Sequence, residues 1–297
     1  MVRLEFSIEL GYEVVDAFPA DFIFNIHATR TACQSVLSER LQVGPDVPVS
    51  VFADPVHGTR YARLRADAGP LNIRYDATVD IAHYITSPDT VGEVAIADLP
   101  PEALQYLYPS RYCQSDRLHQ VARAEFGSMR PGYWRVRAIQ DWVQKRTRFL
   151  SGSSNATTSA VDTLVEQVGV CRDFTHLMIA VCRALNIPAR FVTGIDYGSD
   201  PSFGPTDFHA YVETFLGGRW YLFDPTGMTV PMGLIRLGTG RDAADVSFAT
   251  IFGAVRSSAP VISIKAIEDS AHDLALPMAC VDALSTTGCS GLAAAVA

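Results

Sequence analysis

A chain of 297 residues, 48% hydrophobic and 19% charged, has room for about two domains, each with its own core, and the composition of an ordinary globular protein. A net charge of −8 argues against non-specific attraction to nucleic acid, and no basic–aromatic patch appears. The opening Met1-Val2-Arg3-Leu4-Glu5-Phe6 already alternates and carries charge, unlike a signal peptide, and no uncharged run is both long and greasy enough for a membrane span.

The first hundred residues read as an antiparallel β-sandwich. Val2-Leu4-Phe6-Ile8-Leu10 alternate with polar residues, as do Phe22-Phe24-Ile26 and Leu71-Ile73-Tyr75-Ala77-Val79-Ile81. Pro45, Pro48, Pro55, Gly58 and Gly69-Pro70 punctuate them as turns. This segment shows no chemistry of its own, and His27, His57 and His83 read as surface or packing residues. Pro100-Pro101-Glu102 marks a boundary, which places a first domain at residues 1–105 and a second at 106–297. Helical segments follow at 116–126 and 133–149, the latter carrying Trp134 and Trp142 as packing residues.

The chemistry concentrates between Gly169 and Asp224. After Cys171, Phe174, Leu177, Met178, Val181 and Leu185 recur at spacings of three and four, one face of a helix that Asn186 and Pro188 end. Gly169 allows a tight entry and room for a substrate backbone. Cys171 thus falls in a first helical turn, where unpaired N–H groups favour an anion, and a thiol attacks as its thiolate. Downstream, residues 208–216 and 219–224 are strand-like and flank Gly217-Gly218, a hairpin signal. A tight two-residue turn sets Leu216 opposite Arg219, Asp224 opposite Tyr211 and His209 opposite Thr226. His209 and Asp224 become diagonal neighbours on one sheet face, roughly 7–8 Å apart at the backbone, close enough for a carboxylate to orient an imidazole. Each residue alone has a plain structural reading: a buried cysteine, as for Cys182, a hydrogen-bonded histidine, and a turn at Asp224-Pro225. The conjunction of a helix-opening cysteine with a histidine and aspartate on one hairpin face points instead to a nucleophile, its base and an orienter. The six cysteines show no framework spacing and no C-x-x-C, so reduced thiols in a cytoplasm are expected, with neither structural zinc nor any other cofactor.

These residues resemble the transglutaminase-like superfamily, specifically its bacterial branch of candidate cysteine proteases. The resemblance is carried by Gly169-Val170-Cys171-Arg172-Asp173-Phe174-Thr175-His176-Leu177, Ala184-Leu185-Asn186-Ile187-Pro188-Ala189-Arg190-Phe191-Val192-Thr193-Gly194, His209-Ala210-Tyr211-Val212-Glu213 and Trp220-Tyr221-Leu222-Phe223-Asp224-Pro225-Thr226. Leu107-Tyr108-Pro109-Ser110-Arg111-Tyr112-Cys113 is similar to the linker after that branch's N-terminal β-rich domain. The resemblance implies an α+β fold with a papain-like core, a catalytic Cys171, His209 and Asp224, and a peptide or protein substrate. It implies acyl transfer through a thioester, resolved by water in a peptidase or amidase. The alternatives are amine transfer by a transamidase and a non-catalytic binding module. The tryptophan with which animal transglutaminases help to stabilise the oxyanion has no equivalent here, and Asn155 and Gln167 are the candidates for that role. Asp196 and Asp200 read as solvated turn residues, the glycine-bearing Met228–Gly240 stretch as a mobile flap or a surface loop, and 274–297 as a loose tail.

Overall fold

The structure, a computed structural model, describes residues 1–55, 57–198 and 204–286. The alternation near the N-terminus becomes β1 (Val2–Val14), whose apolar residues Leu4, Ile8 and Leu10 are buried. It pairs antiparallel with β6 (Gly69–Ile81), and β6 with β3 (Gln34–Gly44). A second sheet holds β2 (Ala20–Phe24), β5 (Arg60–Ala66) and β4 (Ser50–Ala53). Phe22 and Phe24 of this sheet meet Leu4, Ile8, Leu71 and Tyr75 of the first in one core, as alternating inward residues of a sandwich require.

The sandwich also takes strands from the far end of the chain. β14 (Ala249–Phe252) pairs with β2, while β15 (Val255–Ser257) and β16 (Val261–Ile267) line the free edge of β1. A split at residue 105 therefore does not describe the strand pairing. A 13-residue strand exposes a long row of backbone donors and acceptors at its edge, and covering that row satisfies them.

The third sheet runs β13 (Leu234–Gly240), β10 (Ala189–Asp196), β11 (Phe208–Leu216), β12 (Arg219–Phe223), β17 (Ala283–Ser285), β7 (Tyr84–Thr86). It corrects two expectations. Met228–Gly240 is no flap: it contains a buried central-sheet strand, and its glycines allow close packing, since a Cβ on Gly238 would lie 2.5 Å from the Asn25 amide. Nor is 274–297 loose throughout, because Ala283–Ser285 is a buried strand between β12 and β7; residues 287–297 lie outside the described part.

Against this sheet pack α2 (His119–Phe126), α3 (Tyr133–Arg146), α4 (Ala160–Glu166) and α5 (Cys171–Ala184), after a short α1 (Pro101–Leu104). The expected one-faced α5 is instead buried on all sides from Asp173 to Ala184, because helices cover what the sheet does not. A two-stranded parallel ribbon, β8 (Arg148–Phe149) with β9 (Val168–Gly169), leads into it. Arg183 of α5 staples the linker, donating to the Tyr108 carbonyl at 3.1 Å and the Ser110 hydroxyl at 3.0 Å. Gln34 clamps the sandwich to the third sheet, accepting from the Arg236 N–H at 2.8 Å and donating to its carbonyl at 2.9 Å. Cys33 is disulfide-bonded, which corrects the expectation of six reduced thiols. The other cysteines lie far along the chain, so no local spacing announces the bond. Cys113, Cys171, Cys182 and Cys280 are free. Among the described residues no helix is long and apolar enough to cross a membrane.

Candidate active site

Cys171 opens α5, and the loop ahead of it is held rigidly. The Asp173 carboxylate accepts from the Val170 N–H at 2.9 Å and from the Ser154 hydroxyl at 2.9 Å, which caps the first turn. Arg172 lies over the Tyr112 ring and donates to the Asn155 carbonyl at 2.6 Å. Gly169 serves this cap: a Cβ there would lie 2.7 Å from that of Asp173, so the glycine makes room for the capping carboxylate and not for substrate. Cys171 itself stays partly exposed on this fixed element.

The β11–β12 hairpin has the expected register, Leu216 opposite Arg219 and Val212 opposite Phe223. Gly217 and Gly218 close it with φ of 53 and 82 degrees, the doubly left-handed backbone of a type I′ turn. Asp224 lies just past the last pair, with its Oδ1 3.3 Å from His209 Nε2. It also accepts from the Thr226 N–H at 2.9 Å, the Thr226 hydroxyl at 2.6 Å and the Thr229 hydroxyl at 2.9 Å. Burial favours its neutral form, but the charge and hydrogen bond of His209 and the Thr226 bonds win, and its pKa falls below the usual carboxylate value. Cys171 lines the same clefts as His209, with its Sγ 3.9 Å from the Phe208 carbonyl oxygen. Burial opposes charge on this imidazole; Asp196, the charge and hydrogen bond of Asp224, and the neighbouring Cys171 outweigh it and hold its pKa well above the ordinary histidine value.

Asp196 was not expected here. It is buried, with Oδ2 3.9 Å from His209 Nδ1, and the Tyr211 hydroxyl donates to its Oδ1. Asp200 lies outside the described residues. Gly194, directly opposite His209, lets β13 come close, since a Cβ on it would lie 2.2 Å from the Ile235 carbonyl oxygen. Gly194→Ala is therefore expected to destabilise the fold by about 1–3 kcal/mol, the usual cost of overpacking. Calorimetry would show a lowered Tm, and an unchanged Tm would mean that the backbone there yields freely.

Two clefts meet at Cys171 and His209. One, about 310 Å³, is walled by Tyr112, Phe191, Phe208, Val246 and Phe248, with Arg172 beside the thiol. The other, about 370 Å³, is lined by Phe149, Ser151, Asp196, Thr206, Asp207 and Thr229. A larger hollow of about 510 Å³ on the outer face of the sandwich, near Glu39, Arg74 and Lys265, is lined by none of Cys171, His209 and Asp224. His176 underlies the first cleft, stacked on Tyr112 with centroids 5.0 Å apart and accepting the Ala243 N–H at 3.1 Å. Burial, with Arg172 and Arg183 nearby, pushes its pKa well below the ordinary value, so it packs as a neutral ring.

Asn155 and Gln167 are not brought to the thiol. Both are exposed and line neither cleft. The Asn155 carboxamide closes its own turn, accepting from the Thr157 N–H at 2.8 Å and hydroxyl at 2.7 Å, and Gln167 ends α4 in a left-handed conformation. Trp142 packs on Phe126, and Trp134 donates to Asp89 at 2.7 Å. Among the described residues no group of three or more His, Cys, Asp or Glu side chains is placed to hold a metal ion.

Comparison with known proteins agrees with this architecture. Residues 2–102 match the bacterial transglutaminase N-terminal domain, and residues 120–225 match the transglutaminase-like superfamily core. A crystal structure from Cytophaga hutchinsonii, described as a candidate cysteine protease, superposes with a TM-score of 0.88 and is 38% identical, covering 96% of this chain and 97% of that one. An uncharacterized protein of Mycobacterium leprae is 33% identical over 117 residues, 38% of this chain and 42% of that protein. One of Mycobacterium tuberculosis (strain H37Rv) is 31% identical over 143 residues, 44% of this chain and 46% of that protein. The chain thus spans less than half the length of these curated relatives. The fold is α+β, antiparallel sheets with few helices around a papain-like core, and family and neighbour together support a cysteine-dependent enzyme. The chain belongs to the transglutaminase-like superfamily.

Proposed function

We propose that the protein transfers acyl groups from peptide or carboxamide substrates through a thioester on Cys171, with water as the usual acceptor. One observation carries the reading. The His209 imidazole lies, through Nε2, 3.3 Å from Asp224 and lines both clefts together with the Cys171 thiol, where the two clefts can hold substrate on both sides of a scissile bond. In that arrangement Cys171 Sγ attacks the carbonyl carbon, and the C–N electron pair leaves with the amine, which takes its proton from His209. Water then attacks the thioester, gives a proton to His209 and releases the acid and the thiol. The Cys171 N–H, in the unpaired first turn of α5, is one donor for the oxyanion. Hydrolysis is favoured over amine transfer because the thiol is partly exposed between open clefts, where water reaches an acyl-enzyme freely.

The test is mass spectrometry of a diverse peptide mixture incubated with the wild type or Cys171→Ala, with an isotope-labelled primary amine present. Cleaved or deamidated peptides that form only with the wild type are expected. Incorporation of the labelled amine would assign a transamidase instead, and products formed equally by Cys171→Ala would remove the cysteine from the mechanism.

A further inference from the structure

We propose that Asp196 is a second positioning carboxylate for His209, acting from the opposite edge of the imidazole to Asp224. This rests on the reading of Cys171 and His209 as a reacting pair. The register of the central strands sets up the arrangement. β10 pairs with β11 so that Gly194 faces His209, which leaves Asp196 the diagonal neighbour of the imidazole on that side. Asp224, following β12, is the diagonal neighbour on the other side. The ring nitrogens divide accordingly: Nε2 lies 3.3 Å from Asp224 and Nδ1 3.9 Å from Asp196. With Nε2 taken by Asp224, Nδ1 is the nitrogen left to serve the thiol, and Asp196 faces it.

Asp196 is fixed in place. The Tyr211 hydroxyl donates to its Oδ1 and meets the Thr229 hydroxyl at 2.6 Å, while Thr229 donates to the second oxygen of Asp224 at 2.9 Å. The two carboxylates thus share one chain of hydroxyls running under the imidazole. Among the described residues, the other charged groups nearby are turned away or exposed. Arg172 of α5 is held by Asn155 and Asp173, Arg190 of β10 and Arg236 of β13 are bound by Glu213, and Asp207 is exposed at the cleft. The cation left facing Asp196 is His209.

The arrangement has a pH consequence. Burial, with repulsion from Asp224, outweighs the His209 charge and the Tyr211 bond and raises the Asp196 pKa from its ordinary 3.8 to about 6. Above that value an ionised Asp196 supports a proton on His209 and so a thiolate at Cys171; below it that support is withdrawn. Sign matters for stability as well. A carboxylate with a raised folded-state pKa contributes stability below its ordinary pKa and loses it as pH rises through the folded value. At pH 7 the ionised Asp196 is therefore a cost to the fold that an amide would not carry.

The experiment follows iodoacetamide alkylation of Cys171 by mass spectrometry from pH 5 to 9 in the wild type, Asp196→Asn and His209→Ala, with a thermal melt for each. Asparagine can still accept the Tyr211 hydroxyl but holds no charge. In Asp196→Asn the rate at pH 6.5 is expected to fall about tenfold, the scale on which one neighbouring charge shifts a titration. The inflection near pH 6 should vanish, with Tm unchanged or raised. A rate–pH curve superimposable on the wild type, while His209→Ala is slowed, would overturn the role of Asp196 alone. A uniform loss at every pH together with a lowered Tm would mark Asp196 as merely structural and overturn it too. If His209→Ala also left the curve unchanged, the thiol–imidazole pairing would fall, and this proposal with it.

Discussion

His209→Ala is expected to slow turnover by about 10³-fold or more, at the upper end of what a positioned acid–base group contributes, because the same ring also sustains the nucleophile. Its alkylation profile should become that of an ordinary cysteine thiol, slow at neutral pH and converging with the wild type once the pH is high enough to ionise any thiol. Asp224→Asn is expected to cost less. The imidazole remains, and the amide oxygen can still accept from Thr226, but the NH2 that replaces the second oxygen no longer accepts from Thr229, and the amide neither fixes the tautomer nor stabilises the charge. The comparison needs each rate divided by its folded fraction, because His209 also neutralises two buried carboxylates. A group whose folded-state pKa is raised contributes stability that is full below its ordinary value and is lost as pH rises through the raised one. The stability deficit of His209→Ala should therefore be present at neutral pH and shrink in alkaline solution. A loss in kcat/KM below tenfold in folded His209→Ala would remove the imidazole from the reaction.

How much of this site the sequence discloses depends on how each strand's register is set. β11 and β12 are joined by Gly217-Gly218, which fixes which residues face each other, so the His209–Asp224 contact follows from counting. β10 and β11 are joined by residues 197–207, and a connection of that length leaves the register open. Asp196 then reads as a turn residue, although it lies two positions beyond the glycine facing His209. The cleft walls are hidden for a related reason. Phe248 stacks on Phe208 with centroids 4.3 Å apart, and the two stand far apart in sequence with no pattern to join them. The sandwich strands are readable from alternation alone, because each buries one face. β14, β15 and β16 are not among the strands read from the sequence, and their place at the sandwich edges is fixed by which backbone rows stand open. Asn155 and Gln167 stand outside the clefts: the Asn155 carboxamide is taken up by its own turn, and Gln167 is the exposed left-handed residue that ends α4.

The largest expected loss of stability comes from the other end of the strand that carries His209. His209, Tyr211 and Glu213 alternate onto one face of β11, while Ala210 and Val212 pack with the α5 side of the core. Glu213 is fully buried, and Arg190 donates to it at 2.8 Å, Arg236 at 3.1 Å through one nitrogen and more closely through the other, and Thr286 at 2.5 Å. Arg190 is also stacked 4.0 Å over the Trp220 ring. Burial penalises the Glu213 charge, but the two guanidiniums win and lower its pKa from 4.5 to about 2. A depressed carboxylate contributes stability above its ordinary pKa and loses it as the pH falls toward the folded value, so this cluster weakens between about pH 4.5 and 2. Glu213→Gln keeps the shape and removes the charge, leaving the buried Arg236 and the part-buried Arg190 without a counterion. Breaking a buried pair in this way costs about 3–5 kcal/mol, a fall in Tm on the order of 10 °C for a chain of this size. The backbone of Arg236 is clamped by Gln34 of the sandwich, so hydrogen exchange should quicken first along β13 and at that junction. Cys171 alkylation should persist in the folded fraction, because Glu213 touches neither the thiol nor His209. An unfolding free energy from chemical denaturation lowered by less than about 1 kcal/mol would show that the arginines find water when their partner is lost, and that the cluster is not what fixes β13 against the sandwich.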